Sequence, residues 1–445
     1  MEYHRPTFRR PRRVPHTAGP STLRICKSPM LTGTNLKYAK AYNVRIVLET
    51  IRLFGPLSRI EIARRTELTA QTVSNLTRQL MRGGIIAEAD RVQEGRGAPA
   101  TLLKLNPDCA FSVGLDLDKD HLTGVLMDFV GNVRQRVSCE LNFPSPDEAM
   151  TLLHDTAEEL IAREKVSRSR IWGVGVGLPG PLGVSEGSFV TNVVNPQAFP
   201  GWTNVPVVDL LRKRLGLPIF LENNATAAAV GERWYGGGRH INTFFYVFFG
   251  AGLGGGLVIN GQPFEGKTGN AGELGYFPTA TADPASMFKR PHLGVYFNLP
   301  RLYRMLTEAG TPASRPAELE ALFAAGNEAL HAWIEDGATN LAPLILAVEY
   351  LLDPDAIFFG GRLPDVIIQA LLDRLETILP ALRLDGKTLH PRLLHATAGS
   401  DAAALGVATL PLYTSFAPAP NLLMKRGAEG PNSDLAASRR HAPSN

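Results

Sequence analysis

Residues 250–256 read Gly-Ala-Gly-Leu-Gly-Gly-Gly, a glycine density that lets backbone N–H groups come close to an anionic oxygen. Gly250, Gly252, Gly254 and Gly255 are the positions a nucleotide-like glycine loop would use. Apolar runs at Phe244–Phe249 and Leu257–Ile259 flank it, so the order is strand–loop–strand. A dinucleotide fold needs strand–loop–helix, and no HRD or DFG pattern follows to make this a protein-kinase loop. By itself the stretch is equally a tight hairpin between buried strands. Gly183-Val184-Ser185-Glu186-Gly187 has the GxSxG spacing of a serine nucleophile. It follows a Pro-rich loop rather than a strand and lacks triad partners, so it reads as a turn. Cys26, Cys109 and Cys139 show no paired spacing. They give neither a disulfide framework nor a CxxC metal site, and a reducing compartment fits them best.

A second set of chemically able side chains lies nearer the N-terminus: Thr69, Gln71, Thr72, Ser74, Asn75 and Arg78. Gln and Asn can pair two-pronged with adenine, Ser and Thr serve bases or phosphates, and Arg78, further along, suits a phosphate. The elements that would position them are legible. Val44, Val47, Leu48, Ile51 and Phe54 repeat at helical spacing, and Gly55-Pro56 ends that helix. Ser58 with Glu61 forms a capping box for a short helix to about Thr66. Thr69 then caps a third helix with Val73, Leu76 and Leu80 on its buried face, stopped by Gly83-Gly84. A hairpin follows, Ile85–Ala87 and Thr101–Leu105, with Arg91 and Arg96 among the glycines of its tip. Three helices and a hairpin in this order make a winged helix-turn-helix, with the third helix in the major groove and the tip suited to a minor groove. A three-helix subdomain for protein contacts is the alternative.

At 445 residues the chain suggests two or three domains. The net charge of +4 is unevenly spread. Residues 1–35 hold seven Lys/Arg against one acid, and residues 36–106 hold twelve against six, which leaves the remainder acidic. A basic block on an acidic body points to a polyanion such as double-stranded DNA, or to a solvated surface. The divisions are a disordered basic arm (1–35), the helix-turn-helix domain (36–106), an α/β domain of alternating strands and helices (107–412) and a disordered polar tail (413–445). The longest apolar run, Leu341–Leu352, is interrupted by Glu349, and no signal-like stretch follows the basic start. The chain therefore reads as cytoplasmic, with no membrane partner.

From about Leu36 to Leu412 the sequence resembles the ROK family of repressors, open reading frames and sugar kinases. The resemblance rests on ordered motifs: GVGLPGPL at 175–182, FPGWTNVPV at 199–207, LENNATAAAVGE at 221–232, GAGLGGGLVINGQPFEG at 250–266, GNAGELGY at 269–276, DPDAIFFGG at 353–361 and DAAALGVA at 401–408. It implies a winged helix-turn-helix followed by a two-lobed actin-like, ribonuclease H-like domain around a sugar cleft.

The departures from the family bear on function. Where ROK kinases carry a D-x-G-G-T phosphate loop, this chain has Asp116-Leu117-Asp118-Lys119-Asp120. Carboxylates there would repel a triphosphate. The family's catalytic base is the Asp of E-N-D-A; here the motif is Glu222-Asn223-Asn224-Ala225, and an amide cannot accept the proton. Of the family's E-x-G-H motif, Glu273 is present and Tyr276 replaces the His. The zinc cysteines are absent, so no metal and no cofactor are expected, and His292 reads as a surface or packed residue. A sugar-contacting Asn of the family aligns with Ala198, near Asn195. The expectation is a DNA-binding regulator without enzymatic activity, a homodimer or homotetramer, in which Asn223, Asn224, Glu273 and Tyr276 bind a carbohydrate effector. Two alternatives stand beside it: an active sugar kinase with a DNA-binding head, and a dimeric regulator that needs no ligand.

Overall fold

The computed structural model describes residues 36–89, 101–182, 201–202, 205–278, 292–386 and 389–416. The basic arm, Arg91 and Arg96, the Gly183–Gly187 turn, Asn195, Ala198, Cys26 and most of the polar tail lie outside the described residues.

The head comprises α1 (Leu36–Phe54), β1 (Leu57–Ser58), α2 (Arg59–Thr66), α3 (Ala70–Arg82), β2 (Ile86–Glu88) and β3 (Leu102–Leu105). Both helix starts follow local chemistry. Ser58 and Glu61 cap α2 reciprocally, and the Thr69 hydroxyl accepts the Thr72 N–H to open α3. Val47, Leu48, Ile51, Ile62, Val73, Leu76 and Leu80 meet Leu103 and Leu105 in one core. The expected hairpin is instead a three-stranded sheet, β1-β3-β2. A two-residue strand such as β1 has too little length to show alternation, so only its pairing reveals it.

The first lobe of the body holds β4 (Phe111–Leu117), β5 (His121–Asp128), β6 (Val133–Glu140), α4 (Pro146–Glu164), β7 (Ile171–Leu178), α5 (Val207–Leu215) and β8 (Ile219–Asn223). Its sheet runs β6-β5-β4-β7-β8, antiparallel across β4–β6 and parallel across β4, β7 and β8. Every residue of β4 and β5 is buried, including the polar Ser112, Asp116, His121, Thr123 and Asp128. The second lobe follows with α6 (Asn224–Tyr235), β9 (Phe244–Phe249), β10 (Leu253–Ile259), β11 (Gln262–Pro263), α7 (Leu293–Tyr296), α8 (Leu299–Glu308), α9 (Pro316–Ala324), α10 (Glu328–Leu352), β12 (Ala356–Gly361), α11 (Asp365–Leu382), β13 (Arg392–His395) and α12 (Ala402–Phe416). Its sheet order is β11-β10-β9-β12-β13. Its edge strand β13 is four residues long and partly exposed, too short to show a pattern in the sequence.

Helices α6 and α12 pack against each other at the heart of the body. A methyl on Gly231 would overlap the Ala402 carbonyl, and one on Gly406 the Ala227 carbonyl. Phe129, Trp172, Trp234 and Leu412 extend the head's core into the body. The Arg52 guanidinium of α1 lies 4.0 Å over the ring of Trp234 on α6. No described helix is long and apolar enough to cross a membrane.

Candidate functional site

A cavity of about 500 Å³ collects residues from both lobes: Gly180 after β7, Asn223 and Asn224 at the β8–α6 junction, the Gly252–Gly254 stretch, Glu273 and Tyr276. The four residues named from sequence as sugar-binding therefore line one space.

Each is held by a local device. Asn223 is the N-cap of α6: its Oδ1 accepts from the Ala225 N–H at 2.8 Å and the Thr226 N–H at 3.3 Å. Its Nδ2 then donates to Glu273 Oε1 at 3.0 Å. Asn223 thus positions the acid as much as it faces the cavity. Burial pushes the Glu273 carboxyl up to about 7, against the lowering effect of the Asn223 amide. Gly180 is needed beside them, because a methyl there would overlap both the Glu273 carboxylate and the Asn223 amide. Asn224 donates from Nδ2 to Asp118 Oδ2 at 3.4 Å.

The glycine run divides. Gly250 and Gly252 sit in the β9–β10 turn, whereas Gly254 and Gly255 lie inside β10, not in a loop. A methyl on Gly254 would press on Ala225 of α6, and one on Gly255 on the Gly272 carbonyl. Those two glycines serve close packing, a use that glycine spacing alone does not reveal.

The acidic run is buried rather than solvated. Asp116, Asp118 and His121 are each at most 2% exposed. His121 bridges Asp120 through Nδ1 at 2.8 Å and Asp116 through Nε2 at 3.3 Å. Burial alone would lower its pKa, but the two carboxylates raise it to about 10. Asp118 is raised by burial and by neighbouring Asp120. Arg362, which follows β12 in the second lobe, reaches across to Asp120 at 2.7 Å and Glu140 at 2.9 Å. Asp118, Asp120 and His121 place one donor atom each within 4.8 Å of one another, the one such grouping among the described residues. Both ring nitrogens of His121 and a carboxylate oxygen of Asp120 already have protein partners.

Several lining residues carried no recognisable signal in the sequence: Phe248, His292, Asn298, Arg301 and Arg304. His292, read from sequence as a surface or packed residue, is half-buried on the cavity wall, its ring centroid 4.7 Å from that of Tyr276. Its Nδ1 lies 2.9 Å from the Gly275 carbonyl. A carbonyl only accepts, so in the neutral ring Nε2 is left as an acceptor.

On the head, Gln71, Asn75 and Arg78 are exposed and lie at i, i+4 and i+7 on one stripe of α3. Ser74 and Arg78 share a shallow groove with Arg59 and Arg82. The Thr69 and Thr72 hydroxyls lie 2.9 Å apart, bonded to each other at the helix start.

A profile of the ROK family matches residues 112–413. The chain belongs to the ROK family. The xylose repressor of Caldicellulosiruptor bescii is 32% identical over 238 residues, 53% of this chain and 58% of that protein. The match thus spans little more than half of that relative's length. A solved ROK family transcriptional regulator, described as a homolog of the E. coli MLC protein, superposes with a TM-score of 0.67 at 24% identity, covering 87% of this chain and 99% of that one. The ROK hexokinase from Thermus thermophilus superposes with a TM-score of 0.52 at 27% identity, covering 68% of this chain and 98% of that one. The architecture is that of a ROK protein: a head of three helices and a three-stranded sheet on an actin-like, sugar-kinase-like body.

Proposed function

We propose that this ROK protein is a sequence-specific DNA-binding repressor of carbohydrate genes, whose body senses a sugar derivative without phosphorylating it. The observation that carries the reading is the Asn224–Asp118 pair. At the position of the family's base stands an amide, and its N–H is turned onto a buried carboxylate. A sugar hydroxyl losing a proton there finds no base at Asn224, while a polyol can still be hydrogen-bonded. Asp118 and Asp120 also occupy the stretch where the family holds phosphate, with Arg362 and His121 balancing their charge. The xylose repressor relative supports the regulatory side.

The fold offers a route from sugar to DNA. Helix α6 begins at the cavity with Asn224, capped by Asn223, and ends with Trp234 under Arg52 of the head. A ligand that binds one position of α6 better than another shifts the head by that difference in affinity. The head would present Gln71, Asn75 and Arg78 to base edges and backbone, with Thr69, Thr72 and Ser74 at the helix entry and Arg91 and Arg96 on the wing. Two heads of a dimer would read an inverted repeat.

The kinase reading retains two supporting observations, the Gly250–Gly252 turn beside the cavity and the likeness of the body's fold to the hexokinase. One experiment separates the two. Purified full chain is titrated with duplex DNA from its own promoter region, with and without a sugar panel, and assayed for ATP-dependent sugar phosphorylation. Operator binding weakened by a sugar, without turnover, supports the sensor. Turnover at an enzyme-like rate refutes it.

A further inference from the structure

The cavity wall that the sugar chemistry does not use is cationic. Arg301 and Arg304 come from α8 and Lys119 from the turn between β4 and β5, and all three line the space that holds Glu273. Four other arginines of this lobe, Arg315, Arg362, Arg374 and Arg383, each hold a carboxylate. Among the described residues no carboxylate forms an ion pair with Arg301 or Arg304, and Lys119 lies beside Asp118, whose charged form it favours. The same wall includes the first turn of α8, with Asn298 as its cap accepting the Arg301 N–H at 2.8 Å. A ten-residue helix adds a favourable end for negative charge to the two guanidinium groups. The acids that share the cavity, Asp118 and Glu273, are both pushed by burial toward their neutral forms. The net field of the space therefore favours an anion on the α8 side, while Glu273, Asn223 and His292 offer hydroxyl partners on the other.

We propose that the effector is an anionic sugar, bearing a phosphate or a carboxylate, with Arg301, Arg304 and Lys119 receiving the anion and Glu273 and His292 the hydroxyls. This rests on the cavity being the sugar site. Planar guanidinium forks suit either anion, so the source is left to the test.

The full chain is titrated calorimetrically with glucose, mannose and galactose, each beside its 6-phosphate and its uronate, and with inorganic phosphate alone. The expected result is that an anionic member of one set binds ten- to a hundredfold tighter than its neutral parent, as one or two charge-assisted hydrogen bonds would give. The phosphate and uronate arms identify the anion. Arg301→Ala/Arg304→Ala, both exposed positions, should remove most of that preference without changing thermal unfolding, and Lys119→Ala a smaller part of it. Neutral parents binding as tightly as their anionic partners, a preference that survives the double substitution, or inorganic phosphate binding as tightly as the sugar anions would each overturn the inference while leaving a sugar sensor intact. A chain that binds no member of any set loses the sugar reading itself.

Discussion

Placing an acid at position 224 by Asn224→Asp should damage this protein rather than create an enzyme. The substitution would set a second carboxylate about where the Asn224 amide lies, 3.4 Å from Asp118 Oδ2, with both residues buried. Two unit charges at that distance repel by about 5 kcal/mol at an effective dielectric constant of 20. That is an upper bound, because the pair can share a proton and titrate as a dyad with one raised pKa. The Asn224–Asp118 hydrogen bond is lost as well, about 1 kcal/mol. The sign follows from linkage. A carboxyl whose folded pKa is raised above its unfolded value leaves stability intact below about pH 4 and removes it as pH rises through the folded value, about 1.4 kcal/mol per unit. The gap between wild type and variant should therefore be small at pH 5 and reach roughly 2–5 kcal/mol at pH 8. Urea unfolding followed by tryptophan fluorescence measures it, since all four tryptophans lie in the body. On the proposed sensor reading, ATP-dependent sugar phosphorylation should not appear in the variant. A variant equally stable at both pH values, or one that turns over sugar, would refute the reasoning.

Other outcomes follow from the same geometry. Because burial holds the Glu273 carboxyl near 7, it ionises as pH climbs from 6 to 8 and adds a negative charge beside an anionic effector, so effector affinity should fall over that range; Glu273→Gln should flatten that profile in calorimetry. Gly180→Ala should abolish effector binding and cost roughly 1–3 kcal/mol in unfolding, because the methyl displaces the Glu273 carboxylate. Gln71→Ala should relax base preference at one operator position by roughly 1–3 kcal/mol, whereas Arg78→Ala should weaken all duplexes alike and lower the salt slope by about one, as competition binding at several salt concentrations would show. Arg52→Ala removes a cation–π contact of about 0.5–1 kcal/mol, and should reduce effector-induced release of DNA more than it reduces effector binding. Equal loss of both would place the sugar-to-DNA route elsewhere.

Local chemistry made the head legible before any coordinates: a serine–glutamate box, a threonine cap and an apolar stripe at helical spacing specify three short helices within a few residues. The buried strand β9 was visible because a strand covered on both faces reads as an apolar run, Phe244–Phe249. The ordered ROK motifs carried the family, and with it Glu273, Asn223 and Asn224 as neighbours. Tertiary structure alone decided the rest. It tied Asn224 to Asp118 across 106 residues, Asn223 to Glu273 across 50, and Arg362 to Glu140 across 222. It brought His292, Arg301 and Arg304 to the cavity, placed Gly254, Gly255 and Gly256 inside a strand, and ran α6 from the cavity to the head. Periodicity and capping report which side of an element must be covered. They are silent on what covers it, because that depends on contacts between segments whose separation in the chain has no bearing on their distance in space.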